Sequence, residues 1–335
     1  MNSLKILITY DAEQSNGEYI IPHIYRTQIE YLRRAGNQVQ IYPFDDRTSL
    51  GGIVRNLRRL KSAIAEFHPH LLVSFYGTVV GAATRFSARR LPFVITFAGS
   101  DLLGTSNPGA YWRLRDFIGR RLSLWAAQSA RQIIVQGKWL IEALPAALRA
   151  KTHNLPNGID VDIFSPQERF EARCQLGWPE DEKVVLFNSG VGSGQIVKNL
   201  PLAQETLARL ARRMDGVRLE LLSTYPRQEV CLRMNAANCL LVTSFHEGSP
   251  GIVKEAMACN LPVLSVPCGD VAERLQGVEP SFICPYDAAE LAKALEQVLR
   301  SGCRSNGREQ LFKQGMDIET ITQRVLAVYR QAVGD

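Results

Sequence analysis

The chain has 335 residues, 46% hydrophobic and 21% charged, and carries a formal net charge of +6. That length accommodates two domains of ordinary size, and that composition is globular rather than disordered or fibrous. No apolar run approaches the roughly 18–20 residues that a membrane-spanning helix needs.

In chain order, the opening MNSLKILITYDAEQ turns polar too soon for a signal peptide, and LKILITY (4–10) reads as a first strand. Residues 19–35 read as a helix stopped by Gly36. QVQIYPF (38–44) is a strand, 52–67 a helix, LLVSFY (71–76) a strand and 78–90 a helix. PFVITFAG (92–99) is a strand, 110–129 is helical, QIIVQG (132–137) is a strand, and HNLPNGIDVDIF (153–164) closes this half. Residues 165–182 are polar, hold two prolines and read as a connection. Strands are then expected at 183–190, 217–223, 239–244, 261–266 and 281–284. Helices are expected near 199–213, 226–237, 250–259, 287–300 and 317–333. Short apolar strands alternating with helices make parallel sheets covered on both faces. The expected fold is therefore α/β, with two doubly wound, Rossmann-like parallel-sheet domains facing across a cleft. Ligands in such sheets bind beyond the carboxyl ends of the strands.

The charge is uneven. Residues 1–165 hold 20 Lys and Arg against 12 Asp and Glu, and the remainder 19 against 21. The cations of the first half cluster at Arg55, Arg58, Arg59 and Lys61, then around Arg85, then at Arg113, Arg115, Arg120 and Arg121. Such clusters suit an anionic membrane surface or a phosphorylated partner, or are solvated helix faces. No motif for nucleic acid accompanies them. Seven cysteines, an odd number without a CxxC pair, and five histidines without ligand spacing point to a reduced, cytoplasmic protein with no metal site.

The segment EGSPGIVKEAMACNLPVLS (247–265) carries the most chemistry. Glu247 stands just past the strand 239–244, and a GSPG turn leads into a helix starting near Pro250, a residue favoured in a first helical turn. The amides of Gly251 and Ile252, with Ser249 before them, form an anion site at the helix start. Glu255 lies one turn past Gly251 on the same face. Two acceptors flanking an anion site suit a nucleotide-sugar. The plain alternative is an ordinary crossover with two solvated glutamates.

This segment resembles the Glu-x7-Glu signature of the retaining glycosyltransferases of family 4, which have the GT-B fold. NLPNGIDVDIFSP (154–166) is similar to the end of that family's first domain, and TFAGSD (96–101) to its T-x-H-G-x-D turn. The resemblance implies a first domain over 1–165, a nucleotide-sugar domain over 166–315, and a helix, 316–335, crossing back to the first domain. It implies a hexosyltransferase-type enzyme acting on a nucleotide-sugar, expected to be a UDP-sugar, and forming an α-linkage in polysaccharide synthesis. The acceptor would be a glycan or a polyprenyl-diphosphate-linked glycan at the inner membrane face.

Residue by residue, Glu247 would contact donor-sugar hydroxyls and Glu255 the ribose. Ser249, Gly251 and Ile252 would lie along the diphosphate. Lys198, after the loop that begins at Gly190, would neutralise the leaving group, where charge builds on the β-phosphate. Front-face attack, with a phosphate oxygen taking the acceptor proton, needs no protein nucleophile, cofactor or metal. The sequence departs from the pattern at Ser193, where an arginine is usual, and at Ala98, where a histidine is common. Asn16, Gly17 and Gly99 are candidates for the acceptor and diphosphate side. Asp101 is a candidate catalytic residue or a helix cap. Tyr225 is a candidate base-stacking residue or a surface tyrosine. An epimerase on the same fold and a catalytically impaired scaffold subunit are the competing readings.

Overall fold

The computed structural model describes residues 3–15, 18–87, 90–104, 109–190 and 194–334. Its contacts divide the chain into two compact units: Met1–Gly158 with Ile318–Asp335, and Ile159–Asp317.

The first unit holds the strands β1 (Lys5–Asp11), β2 (Glu13–Ser15), β3 (Glu18–Ile20), β4 (Gln38–Phe44), β5 (Leu71–Phe75), β6 (Phe93–Phe97), β7 (Gln132–Val135) and β8 (Thr152–Asn154). Six of them make a parallel sheet in the order β4-β1-β5-β6-β7-β8. Every residue of β5 and β6 is buried, the pattern of strands covered on both faces. The core follows from those runs: Leu72, Ile95, Phe97 and Ile133 pack with Leu60, Val80 and Ala126 from the covering helices.

Two of the differences from expectation have a local cause. A helix from 19 is replaced by the antiparallel hairpin β2–β3 and a helix that begins only at His23. Pro22 explains the late start, because it disfavours the helical region for the residue before it and stands itself at the N-cap with ψ 134°. The connection 165–182 contains the helix Arg169–Leu176, ended by Gly177 at φ 66°. Charge hides its buried side: Ala172 is fully buried, and the Arg173 guanidinium donates to Ala236 O at 2.9 Å and Asn238 Oδ1 at 2.8 Å.

The second unit is a five-stranded parallel sheet of β9 (Lys183–Asn188), β10 (Val217–Leu222), β11 (Cys239–Val242), β12 (Val263–Ser265) and β13 (Phe282–Ile283), in the order β10-β9-β11-β12-β13. The C-terminal helix Ile318–Val333 belongs to the first unit, where it packs on the helix His23–Arg34 and touches β5, β6 and β7. Its stripe of Ile318, Ile321, Val325, Leu326 and Tyr329 is buried, and Arg131 donates to Ala332 O at 2.8 Å. No helix among the described residues is long and apolar enough to cross a membrane.

Candidate functional site

The carboxyl ends of β9 and β11 assemble the candidate site of the second unit. Thr243, fully buried just past β11, donates its hydroxyl to the carbonyls of Lys198 and Asn199, each at 2.9 Å. Phe245 N donates to Val197 O at 2.9 Å. These bonds pin the short helix Gly194–Lys198 beside the loop after β11. Lys198 Nζ thereby reaches Glu247 Oε1 at 2.5 Å, and Ser244 Oγ donates to the same oxygen at 2.8 Å. Both charged side chains stay partly accessible, 17% and 14% exposed.

Glu247 leads through Gly248 and Ser249 to Pro250, the N-cap of the helix Gly251–Ala258. Pro250 gives that helix start no side-chain cap bond. Gly251 and Ile252 are half-buried there, with amides free of intrahelical partners by their position. The turn is braced from the following loop. Asp270 N donates to Gly248 O at 3.1 Å, and Gly269 holds φ +53° where a Cβ would stand 2.5 Å from Gly248 O. Ser249 donates to Asp270 Oδ2 at 2.8 Å and accepts from Lys254 Nζ at 3.0 Å. Arg274 pairs with the same Asp270 oxygen at 3.2 Å. Lys254 is fully buried, and burial lowers its pKa to about 8 against the opposing pull of Asp270.

Glu255 projects from the second turn of that helix, 12% exposed, with Arg227 Nη1 at 2.9 Å from its Oε1. Burial raises the Glu255 pKa, and the Arg227 charge and hydrogen bond oppose that rise. Arg227 lies over the Phe164 ring at 4.5 Å. Glu247, Lys198, Glu255, Ser249, Gly251 and Ile252 thus all belong to the end of the sheet where β9 and β11 finish. Gly190 lies just past β9 at φ 67°, its amide donating to Asn188 Oδ1 at 3.2 Å. Tyr225 is half-buried beyond β10 with the Arg233 guanidinium 3.9 Å above its ring, so one ring face is already occupied. Ser193, Asn16 and Gly17 lie outside the described residues.

The sequence reading missed Arg227, Ser244, Lys254, Asp270 and Arg274. Only the fold brings Arg227 to Glu255, 28 positions away. Lys254 lies within the motif 247–265, and only the fold shows its full burial.

In the first unit, Gly99 follows β6 at φ +135°. Asp101 is 1% exposed, and its carboxylate accepts from Gly77 N and Gly99 N at 2.9 Å and from Ala98 N at 3.4 Å. Burial pushes its pKa up to about 6 against those amides. Through these three amides the Asp101 carboxylate joins the loops after β5 and β6. Asp101 sits inside the short helix Ser100–Leu103, whose N-cap is Gly99, so it is not that helix's N-cap. Beside it Tyr76 holds the left-handed φ of 109° and bonds Ser100 Oγ at 2.7 Å. Non-glycine strain of that kind concentrates at functional sites.

Comparison with known proteins bears on both units. Residues 18–163 match the family model Glycosyltransferase Family 4, and residues 191–301 match the model Glycosyl transferases group 1. D-inositol 3-phosphate glycosyltransferase of Mycobacterium tuberculosis (strain ATCC 25618 / H37Rv) is 25% identical over 251 residues, 64% of this chain and 49% of that protein. The chain spans about half the length of the curated relatives it matches. Sucrose-phosphate synthase from Thermosynechococcus elongatus superposes with a TM-score of 0.77 at 19% identity, covering 98% of this chain and 99% of that one. The Anabaena protein HepE, solved in complex with UDP and glucose, gives 0.71 at 16% identity, covering 98% and 100%. The fold is GT-B, two parallel-sheet α/β units.

Proposed function

We propose that this chain, which belongs to the family-4 glycosyltransferases, moves a sugar from a UDP-sugar to a glycan or lipid-linked acceptor with retention of the anomeric configuration. The observation that carries the reading is the contact of Lys198 with Glu247 beside a helix start that bears Glu255 one turn on. HepE, solved with UDP and glucose, supports UDP as the nucleotide.

In this reading the amides of Gly251 and Ile252 and the hydroxyl of Ser249 take the diphosphate, with the helix dipole behind them. Lys198 supplies the mobile positive charge for the leaving group. Before the donor arrives, that charge is held by Glu247, which is then released to donor-sugar hydroxyls. Glu255 takes ribose hydroxyls, with the Arg227 charge opposing the rise that burial puts on its pKa. Gly190 and Tyr225 flank the nucleotide side, and Gly99, with Asn16 and Gly17, is the acceptor side. As the C1–O bond to the diphosphate breaks, the acceptor hydroxyl attacks C1 from the same face. Its proton passes to a phosphate oxygen of the departing UDP. The new bond is α, and the step uses no protein nucleophile and no metal.

The acceptor reading is a polyprenyl-diphosphate-linked glycan at the inner membrane face, with the protein cytoplasmic and peripheral there. The cation excess of residues 1–165 supports it. The test is to screen UDP-sugars for slow hydrolysis, then follow transfer by NMR. An α-configured sugar in the first-formed product is expected. A β-configured one overturns retention, and turnover of no sugar nucleotide overturns the enzyme reading.

A further inference from the structure

The two helices that meet at Glu255 touch twice, at matching positions. Arg227 and Cys231 lie one turn apart on the helix Arg227–Ala236. Glu255 and the C-cap Cys259 lie one turn apart on the helix Gly251–Ala258. Arg227 bonds Glu255 at 2.9 Å, and Cys231 Sγ stands 3.8 Å from Cys259 Sγ. The partners in each rung are 28 positions apart, so one helix face meets the other in register. The Glu255 charge bears on both thiols, which places the sulfur rung next to the carboxylate.

Both sulfurs are buried, Cys231 at 2% and Cys259 at 0% exposed. The Cys259 S–H aimed at Cys231 lowers the Cys231 thiol to about 7 against its burial. The Asn235 amide, 3.4 Å from the same sulfur, adds to that effect and is itself held by Ser165 O at 2.9 Å. The shared hydrogen bond, with burial behind it, raises Cys259 well above the usual thiol range. One member of the pair is therefore the nucleophile and the other carries the proton, the division that lets a dithiol close.

We propose that Cys231 and Cys259 form an oxidation site that a hydroperoxide closes to a disulfide, and that the closed bond weakens nucleotide binding at the adjoining Arg227–Glu255 rung. The Cys231 sulfur, its proton lost, attacks one peroxide oxygen. The O–O bond breaks, and the departing hydroxide takes that proton as water. Cys231 is left as a sulfenic acid. The Cys259 sulfur then attacks the Cys231 sulfur, the S–O bond breaks, and hydroxide leaves with the Cys259 proton as a second water. Two thiols are oxidised and one hydroperoxide is reduced. Burial restricts the oxidant to a small neutral molecule such as hydrogen peroxide. An S–S bond is about 2.05 Å long, so the sulfurs must approach from 3.8 Å. The Cys259 end is anchored, because Arg304 donates to Cys259 O at 2.7 Å and Arg308 to Ala258 O at 3.0 Å. The helix Arg227–Ala236 takes up the approach and carries Arg227 further onto the Glu255 carboxylate, which a ribose then has to win from it. This effect on the nucleotide rests on the donor-site reading; the sulfur chemistry does not.

The test is hydrogen peroxide treatment of the full chain carrying Cys174→Ser/Cys303→Ser, which removes the exposed thiols. Alkylation and peptide mapping without reduction follow. A peptide crosslinked through Cys231 and Cys259 is expected, with a Tm raised by several degrees. UDP affinity by calorimetry is expected to fall about threefold or more in the oxidised chain, the effect of roughly one hydrogen bond, and to return with dithiothreitol. Cys231→Ser and Cys259→Ala, each in the same background, are expected to bind UDP like the reduced parent and not to respond to peroxide. Circular dichroism confirms the fold of each variant. If the reduced chain binds no UDP, the donor-site reading has failed, while the crosslink and the Tm still decide the sulfur chemistry. Cys231 and Cys259 both alkylated after peroxide, or a crosslinked chain with the UDP affinity of the reduced one, overturns the proposal. So does a peroxide effect on UDP binding that survives in Cys231→Ser.

Discussion

Lys198 and Glu247 come from separate segments, and the chain closes them to 2.5 Å. The bond has a structural cause: Thr243 holds the carbonyls of Lys198 and Asn199, and Ser244, the next residue, holds the Glu247 carboxylate. Each member therefore keeps the other from being an isolated, poorly hydrated charge. Lys198→Ala should lower UDP-sugar turnover by at least tenfold, because the leaving group loses its cation. Lys198→Arg should retain more turnover than Lys198→Ala. Steady-state rates for the two variants check this, and equal loss in both would point to packing rather than charge.

The Arg227–Glu255 contact sets a pH dependence. Burial raises the Glu255 pKa and Arg227 opposes it. Removing the cation in Arg227→Met should raise that pKa further, so less of Glu255 is ionised at a given pH. Nucleotide affinity, if it uses the carboxylate, should then weaken at acidic and neutral pH and recover as pH rises. Titrating UDP against parent and variant across pH checks the sign. A pH profile unchanged in the variant contradicts the role given to Arg227.

Asp101 gives a stability prediction with the opposite look. Its folded pKa of about 6 lies above the 3.8 of a free aspartate. The native state therefore binds the proton more tightly than the unfolded chain. Stability from this group is fully present below about pH 4 and is lost as pH rises through 6. Relative to Asp101→Asn, the parent should gain on the order of 2 kcal/mol between pH 7 and pH 4. Denaturant unfolding at the two pH values measures it, and a constant difference contradicts the shifted carboxyl.

Much of this was legible in the sequence, for a physical reason in each case. β5 and β6 are buried on both faces, so their apolar runs are unbroken and their positions stand out. Glu247 and Glu255 flank a turn and a helix start, and that spacing is local. What stayed hidden depends on tertiary contact. The partnership of Arg227 with Glu255 requires two helices to pack, and the burial of Lys254 requires Asp270 and Arg274 to surround it. The helix Arg169–Leu176 was masked because its buried polar residue, Arg173, is satisfied by carbonyls far along the chain.

Gly269 tests the brace under the GSPG turn. Alanine there meets a strained φ of +53° and a carbonyl oxygen 2.5 Å from its Cβ. Gly269→Ala should cost about 1–3 kcal/mol of stability and weaken UDP binding together. Gly302→Ala is the control, with φ +63° and no atom within 4 Å, and should lower stability alone. Thermal melts with and without UDP separate the two effects. Loss of UDP binding in the control would disconnect the brace from the site.

The most direct test of the central claim is calorimetric binding of UDP to the parent chain, Lys198→Ala and Glu255→Ala. The donor-site reading predicts binding to the parent and a loss of roughly 1.5–3 kcal/mol, about ten- to a hundredfold, in each variant. Binding of equal strength in all three, or no binding of UDP to the parent, would contradict it.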